Sequence, residues 1–405
     1  MKILATADWH IRDKDIDEIE KCLNYLIEVA KKERPNLIIH AGDIFDSRDV
    51  KLDSISAKLT FHIFSELAEI APICTILGTP LHEGYATESL VYASNIDHNV
   101  WVSSQPEQLR LHNGTLTSLE YVGRDKTDLI LSMLPTPTKQ FMQGTDEEIS
   151  NALTPIFAGF GAQAAQYDCP HILVGHWTVR GAAISDTQVM VGRDIEIGTD
   201  QIALAKAHLT CLGHIHKAQK IGENMFYSGS IYRTKHGETE AKGFYIHEIL
   251  GGIIETPEGK GVYSGSRFIE TPARQRLTLK EDFSQGNDIQ DLDATLRSLD
   301  PGEVKGASIK VELKAWEDET GAIDKQGIED FYRAAGAESV EVHITAIPRE
   351  NVRSERILKL ETLREKVQER AALSCETVPE TILEKADLLE TMSDDEVLAH
   401  VANGT

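Results

Sequence analysis

Residues 37–46 read Leu37-Ile38-Ile39-His40-Ala41-Gly42-Asp43-Ile44-Phe45-Asp46, a short apolar run that ends in glycine and aspartate. Such a run reads as a buried strand, and the glycine lets the backbone turn so that the carboxylate stands at the strand's end. The construction recurs. Ile3-Leu4-Ala5 precedes Asp8-Trp9-His10, and Ile73 to Leu77 precedes Gly78-Thr79-Pro80-Leu81-His82-Glu83. Ile172-Leu173-Val174 precedes Gly175-His176, and Leu209 to Leu212 precedes Gly213-His214-Ile215-His216. In α/β folds ligands gather beyond the carboxyl ends of strands, so these five ends can converge on one site. Their carboxylates and imidazoles suffice to hold two divalent ions, an arrangement suited to phosphoester hydrolysis.

Between the motifs, Ile19, Leu23, Leu26, Ile27 and Ala30 recur at helical spacing until Pro35. Leu59, Ile63, Phe64 and Leu67 mark one face of a second helix over 54–69. Strand, helix, strand, helix, strand predicts a parallel sheet with right-handed crossovers. Past Trp101 the strands shorten. Residues 144–166 read as a helix despite Pro155, and Met225 to Ser228 and Gly243 to His247 read as strands of a second sheet packed on the first. A boundary near Arg267 to Arg276 closes a first domain over residues 1–269. The alternating runs Ile309 to Leu313 and Val340 to Ile344 then predict a small α+β domain over 270–347. Pro348 opens a helical region over 348–405, with Ile357, Leu360, Val367 and Ala371 at nearly heptad spacing and a second, acidic helix after Val378.

The chain has 405 residues and a net charge of −24. That charge argues against binding nucleic acid through the overall field. It leaves room for a local basic track, and Arg12, Lys14, Arg48, Lys51, Arg180, Lys217, Lys220, Arg233 and Lys235 all lie beside the motifs. No apolar run approaches the ~18 residues of a membrane span, and Met1-Lys2-Ile3 enters a strand without a signal-peptide core. The cysteines, Cys22, Cys74, Cys169, Cys211 and Cys375, are scattered and read as reduced thiols of a cytoplasmic, non-membrane protein.

Within the motifs Asp43 is the natural bridging ligand, because Gly42 allows its backbone to approach closely. Asp8 and His10, two apart, can share one site if the strand has begun to turn. His214 and His216 repeat that spacing, and His176 adds a further imidazole.

The ordered set Asp-x-His, Gly-Asp, Gly-…-His-Glu, Gly-His and Gly-His-x-His resembles the calcineurin-like metallophosphoesterases. Gly42 to Asp46 and Tyr227-Ser228-Gly229-Ser230 are similar to its SbcD-type branch, the nuclease subunits of DNA double-strand-break processing. The resemblance implies a two-sheet αββα sandwich, followed by a small α+β cap domain and C-terminal helices that dock a partner. It implies Asp8, His10, Asp43 and His216 around one manganese ion and Asp43, His176 and His214 around a second. His82 would contact the scissile phosphate or protonate the leaving oxygen, with Glu83 orienting its imidazole. The implied activity is exonuclease and endonuclease cleavage of DNA ends, in a homodimer paired with an SbcC-like ATPase of the SMC family. One motif departs from the family spelling Gly-Asn-His-Asp/Glu. Thr79-Pro80-Leu81 separates Gly78 from His82, so the amide ligand is absent and a weaker second metal site is expected. The competing readings are a phosphatase or phosphodiesterase of small molecules, favoured by the acidic charge, and a scaffold that only binds DNA ends.

Overall fold

The computed structural model describes residues 1–93, 99–119, 127–137, 145–185, 187–188, 195–249, 254–256, 259–261, 264–285, 292–348, 357, 359–373 and 377–392. The chain first lays down β1 (Lys2–Thr6), β2 (Leu37–His40), β3 (Ile73–Ile76) and β4 (Val100–Ser103), all mutually parallel. Helices α1 (Ile16–Glu33) and α2 (Ile55–Ile70) make the first two crossovers. It then builds a second sheet from β5 (Glu107–His112), β6 (Thr115–Ser118), β7 (Leu129–Leu134), β8 (His171–His176), β9 (Leu209–Gly213), β10 (Gln219–Ile221) and β11 (Met225–Tyr227). Helix α3 (Asp146–Ala164) connects β7 to β8. Finally β12 (Gly243–Ile249) and β13 (Ser264–Glu270) return to the first sheet and add to it antiparallel. The strand orders are β13-β12-β1-β2-β3-β4 and β10-β11-β9-β8-β7-β5-β6.

Side chains alternate across each strand, and three apolar layers follow from that alternation. Leu4, Ile38 and Ile73 face outward to Leu23 and Leu26 of α1 and to Ile63 and Phe64 of α2. Their neighbours Ile3, Ala5, Leu37, Ile39 and Cys74 face inward and pack on Leu131, Ile172, Val174 and Cys211 of the second sheet. Leu173 and Leu212 face the far side, against Leu153 and Phe157 of α3. This is the αββα sandwich. Central strands buried on both faces must read as continuous apolar runs, as these do. Each fully buried Leu or Ile contributes about 1.5–3 kcal/mol.

Local signals set the helix ends. The Ser54 side chain accepts from Ala57 N to cap α2, and α1 stops at Arg34, whose left-handed backbone leads into Pro35. Thr145 and Glu148 form a capping box on α3, which continues through Pro155 because its apolar face stays packed on the second sheet.

Three further strands, β14 (Arg276–Asp282), β15 (Ser308–Trp316) and β16 (Ser339–Ile347), pair in parallel and not antiparallel register, with helices as crossovers. The longest of these helices is α4 (Lys325–Ala334), whose Ile328 and Tyr332 cover Ile309, Val311 and Leu313. Towards the C-terminus, α5 (Leu363–Leu373) lies against α6 (Glu380–Thr391), and Arg364 bridges Asp387 and Glu380. Of the stretch read from near-heptad spacing, Leu363–Leu373 is a helix, and residues 351–356 and 358 lie outside the described residues, as do Cys375 and the acids Asp394 to Glu396. Among the described residues no helix is long and apolar enough to cross a membrane.

Candidate metal centre

The carboxyl ends of β1, β2, β3, β8 and β9 meet at one edge of the sandwich. The parallel pairing of β1 with β2 and of β8 with β9 brings their following residues side by side. Four residues there adopt left-handed backbone that non-glycine residues rarely take: Asp8 (φ 50°), His10 (φ 42°), Asp43 (φ 58°) and His214 (φ 92°). Such strain persists where surrounding structure imposes it. Here it turns Asp8 and His10 toward one point, which an extended strand would not do. Gly42 (φ 87°) permits a close approach, since a Cβ there would lie 2.5 Å from His176 Nδ1.

Ligand-type atoms form two triplets, Asp8 with His10 and His216, and Asp43 with His176 and His214, each within 4.8 Å. Asp43 Oδ2 lies between them, 3.2 Å from His176 Nε2 and 3.8 Å from His10 Nε2. His176 Nδ1 donates to the Ala41 carbonyl at 2.7 Å, which aims Nε2 at the shared carboxylate. Such a carbonyl partner sets the tautomer a ligating imidazole needs. Asp8 Oδ1 accepts from His214 N at 2.9 Å. Asp8 Oδ2 and both ring nitrogens of His10 are buried with no hydrogen-bond partner. Orphaned buried polar atoms are costly, and a divalent cation would satisfy Asp8 Oδ2 and one His10 ring nitrogen. The donor set, carboxylate and imidazole, suits manganese, zinc or iron.

Electrostatics point the same way. Burial pushes Asp8 up to about 6 and His10 down to about 4. Burial also opposes the charge on Asp43, but His176 and His10 outweigh it and hold Asp43 well below the usual carboxylate range. His176 is lifted to about 9 against its own burial by Asp43 and Asp8. Without a cation, a proton on His176 would offset part of the carboxylate charge, and a bound cation would take its place.

The third motif differs from expectation in two respects. Its two additional residues form a turn in which the Thr79 carbonyl accepts from His82 N at 2.8 Å and Glu83 N at 3.1 Å, with Leu81 pushed into solvent. Thr79 therefore keeps its place in the centre. Its N–H donates to Asp43 Oδ1 at 2.5 Å, and its hydroxyl lies 3.1 Å from Asp43 Oδ2 and 3.4 Å from His176 Nε2. The second difference corrects the role of Glu83. It does not orient His82, because its carboxylate is buried the other way, accepting from Ile44 N at 2.8 Å and from the Thr87 hydroxyl. Burial and nearby Asp43 push Glu83 up to about 8. His82 is instead held by the Asp46 carbonyl, which accepts from its Nδ1 at 3.0 Å.

Two residues join the site that motif reading passed over. Asp46 forms a third ligand-type cluster with His10 and His82. It stood in view three residues after Asp43. Gln188 donates to the His214 carbonyl at 2.6 Å and accepts from His216 N at 3.0 Å, clamping the last motif's backbone. No local signal marks it. Of the basic track, Arg233 is buried, its guanidinium spent on the carbonyls of Glu238, Ala273 and Glu240. Arg48, Lys51, Arg180 and Lys220 remain exposed.

The profile of the calcineurin-like phosphoesterase family matches residues 1–218. The D subunit of the SbcCD nuclease from Staphylococcus epidermidis is 26% identical over 262 residues, covering 62% of this chain and 66% of that protein. Its counterpart from Staphylococcus saprophyticus is 28% identical with the same coverage. The chain thus spans 66% of these relatives' length, just short of two thirds. A dimetal phosphatase from Danio rerio has a TM-score of 0.40 at 11% identity, over 66% of this chain and 98% of that one. With more than half its length matched, across all five strand-end motifs, the chain belongs to the calcineurin-like phosphoesterase family.

Proposed function

We propose that the protein is a two-metal DNA nuclease subunit that hydrolyses phosphodiester bonds at DNA ends together with an SbcC-like SMC-family ATPase. The observation that carries the phosphoesterase chemistry is the pair of buried ligand triplets meeting at Asp43. Asp8, His10, Asp43 and His216 would hold one ion, and Asp43, His176 and His214 the other, most simply as manganese. The bound ions would neutralise charge developing on the phosphoryl oxygens and supply an activated water at neutral pH. Asp43 spans both positions while its Oδ1 stays fixed by Thr79 N. The Asp46 carbonyl fixes the His82 ring through Nδ1 and leaves Nε2 to hold or donate a proton at a substrate oxygen. Glu83 anchors the motif's backbone to Ile44, so its contribution is to placement.

Residues 1–269 form the nuclease domain in this reading, 270–347 a cap that contacts DNA, and 348–405 a partner-docking region. Support for docking comes from α6, where Ile382, Leu388 and Leu389 remain exposed beside the α5 contact. Leu52 and Ile55 at the start of α2, and separately Tyr85 and Tyr92, are exposed apolar side chains, which supports a homodimer. Four buried free thiols fit a cytoplasmic protein. The relatives named as nuclease subunits support a nucleic-acid substrate.

Manganese-dependent cleavage of linear duplex DNA, run beside para-nitrophenyl phosphate esters, tests the reading. Cleavage of DNA that is abolished in Asp43→Asn is the expected result. Hydrolysis of the small esters alone would make it a small-molecule phosphodiesterase. DNA binding without any hydrolysis would make it a scaffold.

A further inference from the structure

The strand-end chemistry lies within residues 1–218, yet one of the arginines holding it comes from beyond that stretch. Asp15 and Glu18 stand one turn apart at the start of α1, and Arg274 and Arg276 stand two apart at the entry to β14. The pairs interlock. Arg274 N donates to Glu18 Oε1 at 2.5 Å, with its Nε 3.6 Å from Glu18 Oε2, and Arg276 Nη2 donates to Asp15 Oδ1 at 2.6 Å.

From there the two lines diverge. Glu18 is completed by Lys21 and Cys22, on α1 itself. Asp15 leads inward. Its Oδ2 accepts from Arg12 Nε at 2.5 Å, and Arg12 Nη1 reaches Asp46 Oδ2 at 3.2 Å. Asp46 Oδ1 faces His10 Nδ1 at 3.7 Å, and its carbonyl accepts from His82. The Arg12 guanidinium also lies over the Tyr232 ring, whose hydroxyl donates to the His10 carbonyl at 3.1 Å.

Arg12 is 16% and Asp15 and Arg276 each 14% exposed, with Asp46 at 36%, so salt screens the outer part of the line less than it would a surface pair. The guanidinium fork is rigid, and only one of its edges can meet a given carboxylate. Arg276 occupies Asp15 Oδ1. Without it, that oxygen is open to Arg12, whose fork would turn bidentate onto Asp15 and draw Nη1 away from Asp46.

We propose that Arg276 is a positioning residue of the catalytic site, acting through Asp15 and Arg12 to hold Asp46 against His10 and His82. The segment after the family-matched stretch thereby completes the centre's geometry. This rests on the phosphoesterase reading of the site.

Two readouts on the full chain test it: imidazole resonances of the metal-free protein carrying ¹³C-histidine, and manganese-dependent hydrolysis of bis(para-nitrophenyl) phosphate. Arg276→Met should move the His10 and His82 resonances and lower kcat about tenfold with KM changed less than twofold, as small misplacements of catalytic groups do. Arg274→Met removes the sister guanidinium contact to Glu18 while its backbone N–H stays bonded there, and should leave resonances and rate unchanged. Combining Arg276→Met with Arg12→Met should cost no more than Arg12→Met alone. If Arg276→Met fails to fold, Arg276→Lys is read by the same resonances. Unmoved His10 and His82 resonances in the Arg276 variant, or equal movement in Arg274→Met, would overturn the proposal. Movement confined to the Arg276 variant in a protein that cleaves neither this ester nor linear duplex DNA would leave this line standing and remove the phosphoesterase reading instead.

Discussion

Thr79 stands where the family carries an asparagine, and replacing it probes the weak point of the centre. The Thr79 hydroxyl lies 3.1 Å from Asp43 Oδ2 and 3.4 Å from His176 Nε2, so it already sits at ligand spacing. Its deficit is chemical, since a neutral hydroxyl is a poorer donor than an amide oxygen. Thr79→Asn supplies that oxygen, and Thr79→Val removes the hydroxyl while keeping the side-chain shape. Changes to a single supporting group at metal sites shift affinity about 10–100-fold, or about 1.4–2.8 kcal/mol. Thr79→Asn should therefore tighten the second manganese site by about that factor, and Thr79→Val should weaken it by about tenfold. Calorimetric titration of manganese into the metal-free protein reads both sites. The wild type should show one tight and one weaker step. Two equally tight steps in the wild type, or an unchanged second step in Thr79→Asn, would refute the reasoning.

Other outcomes follow from the same geometry. Glu83 is pushed up to about 8 by burial and by Asp43, so it binds its proton more tightly folded than unfolded. Between its ordinary value of about 4.3 and pH 8 the native state holds the extra proton, so this group's contribution falls as pH rises through that window, by at most ~1.4 kcal/mol per unit. Glu83→Gln should flatten that slope in denaturant titrations of the metal-free protein from pH 5 to 9; an identical slope in both proteins would contradict the assignment. A Cβ on Gly213 would lie 2.1 Å from the Ala41 carbonyl oxygen, the group that fixes His176. Gly213→Ala should lower the unfolding free energy from denaturant titration by about 1–3 kcal/mol and also weaken manganese binding; wild-type values of both would show that the loop yields. Gln188→Leu removes both bonds to the last motif and should weaken manganese binding about tenfold with the fold retained. Unchanged binding would show that the His214 and His216 backbone needs no clamp.

Much of the site could be read from local sequence. An apolar run followed by Gly-Asp or Gly-His places a ligand beyond a strand end whatever the rest of the chain does, and Asp8, His10, Asp43, His176, His214 and His216 do gather there. The helical spacing of Ile19 to Ala30 placed α1, because one face of a surface helix must meet the sheet. The resemblance implies that Glu83 orients His82, but the turn from Thr79 sends the two neighbouring side chains opposite ways. Arg233 read as surface charge because composition does not reveal burial.

The sequence by itself determined which residue types stand at which strand ends, since strand formation and its termination depend on near neighbours. Only the tertiary structure decided what those ends meet. Arg276 reaches Asp15 across 261 positions, and Asp8 meets His214 N across 206. Such contacts depend on crossovers, strand register and side-chain direction, which are set by packing the whole sandwich and not by any local run of residues.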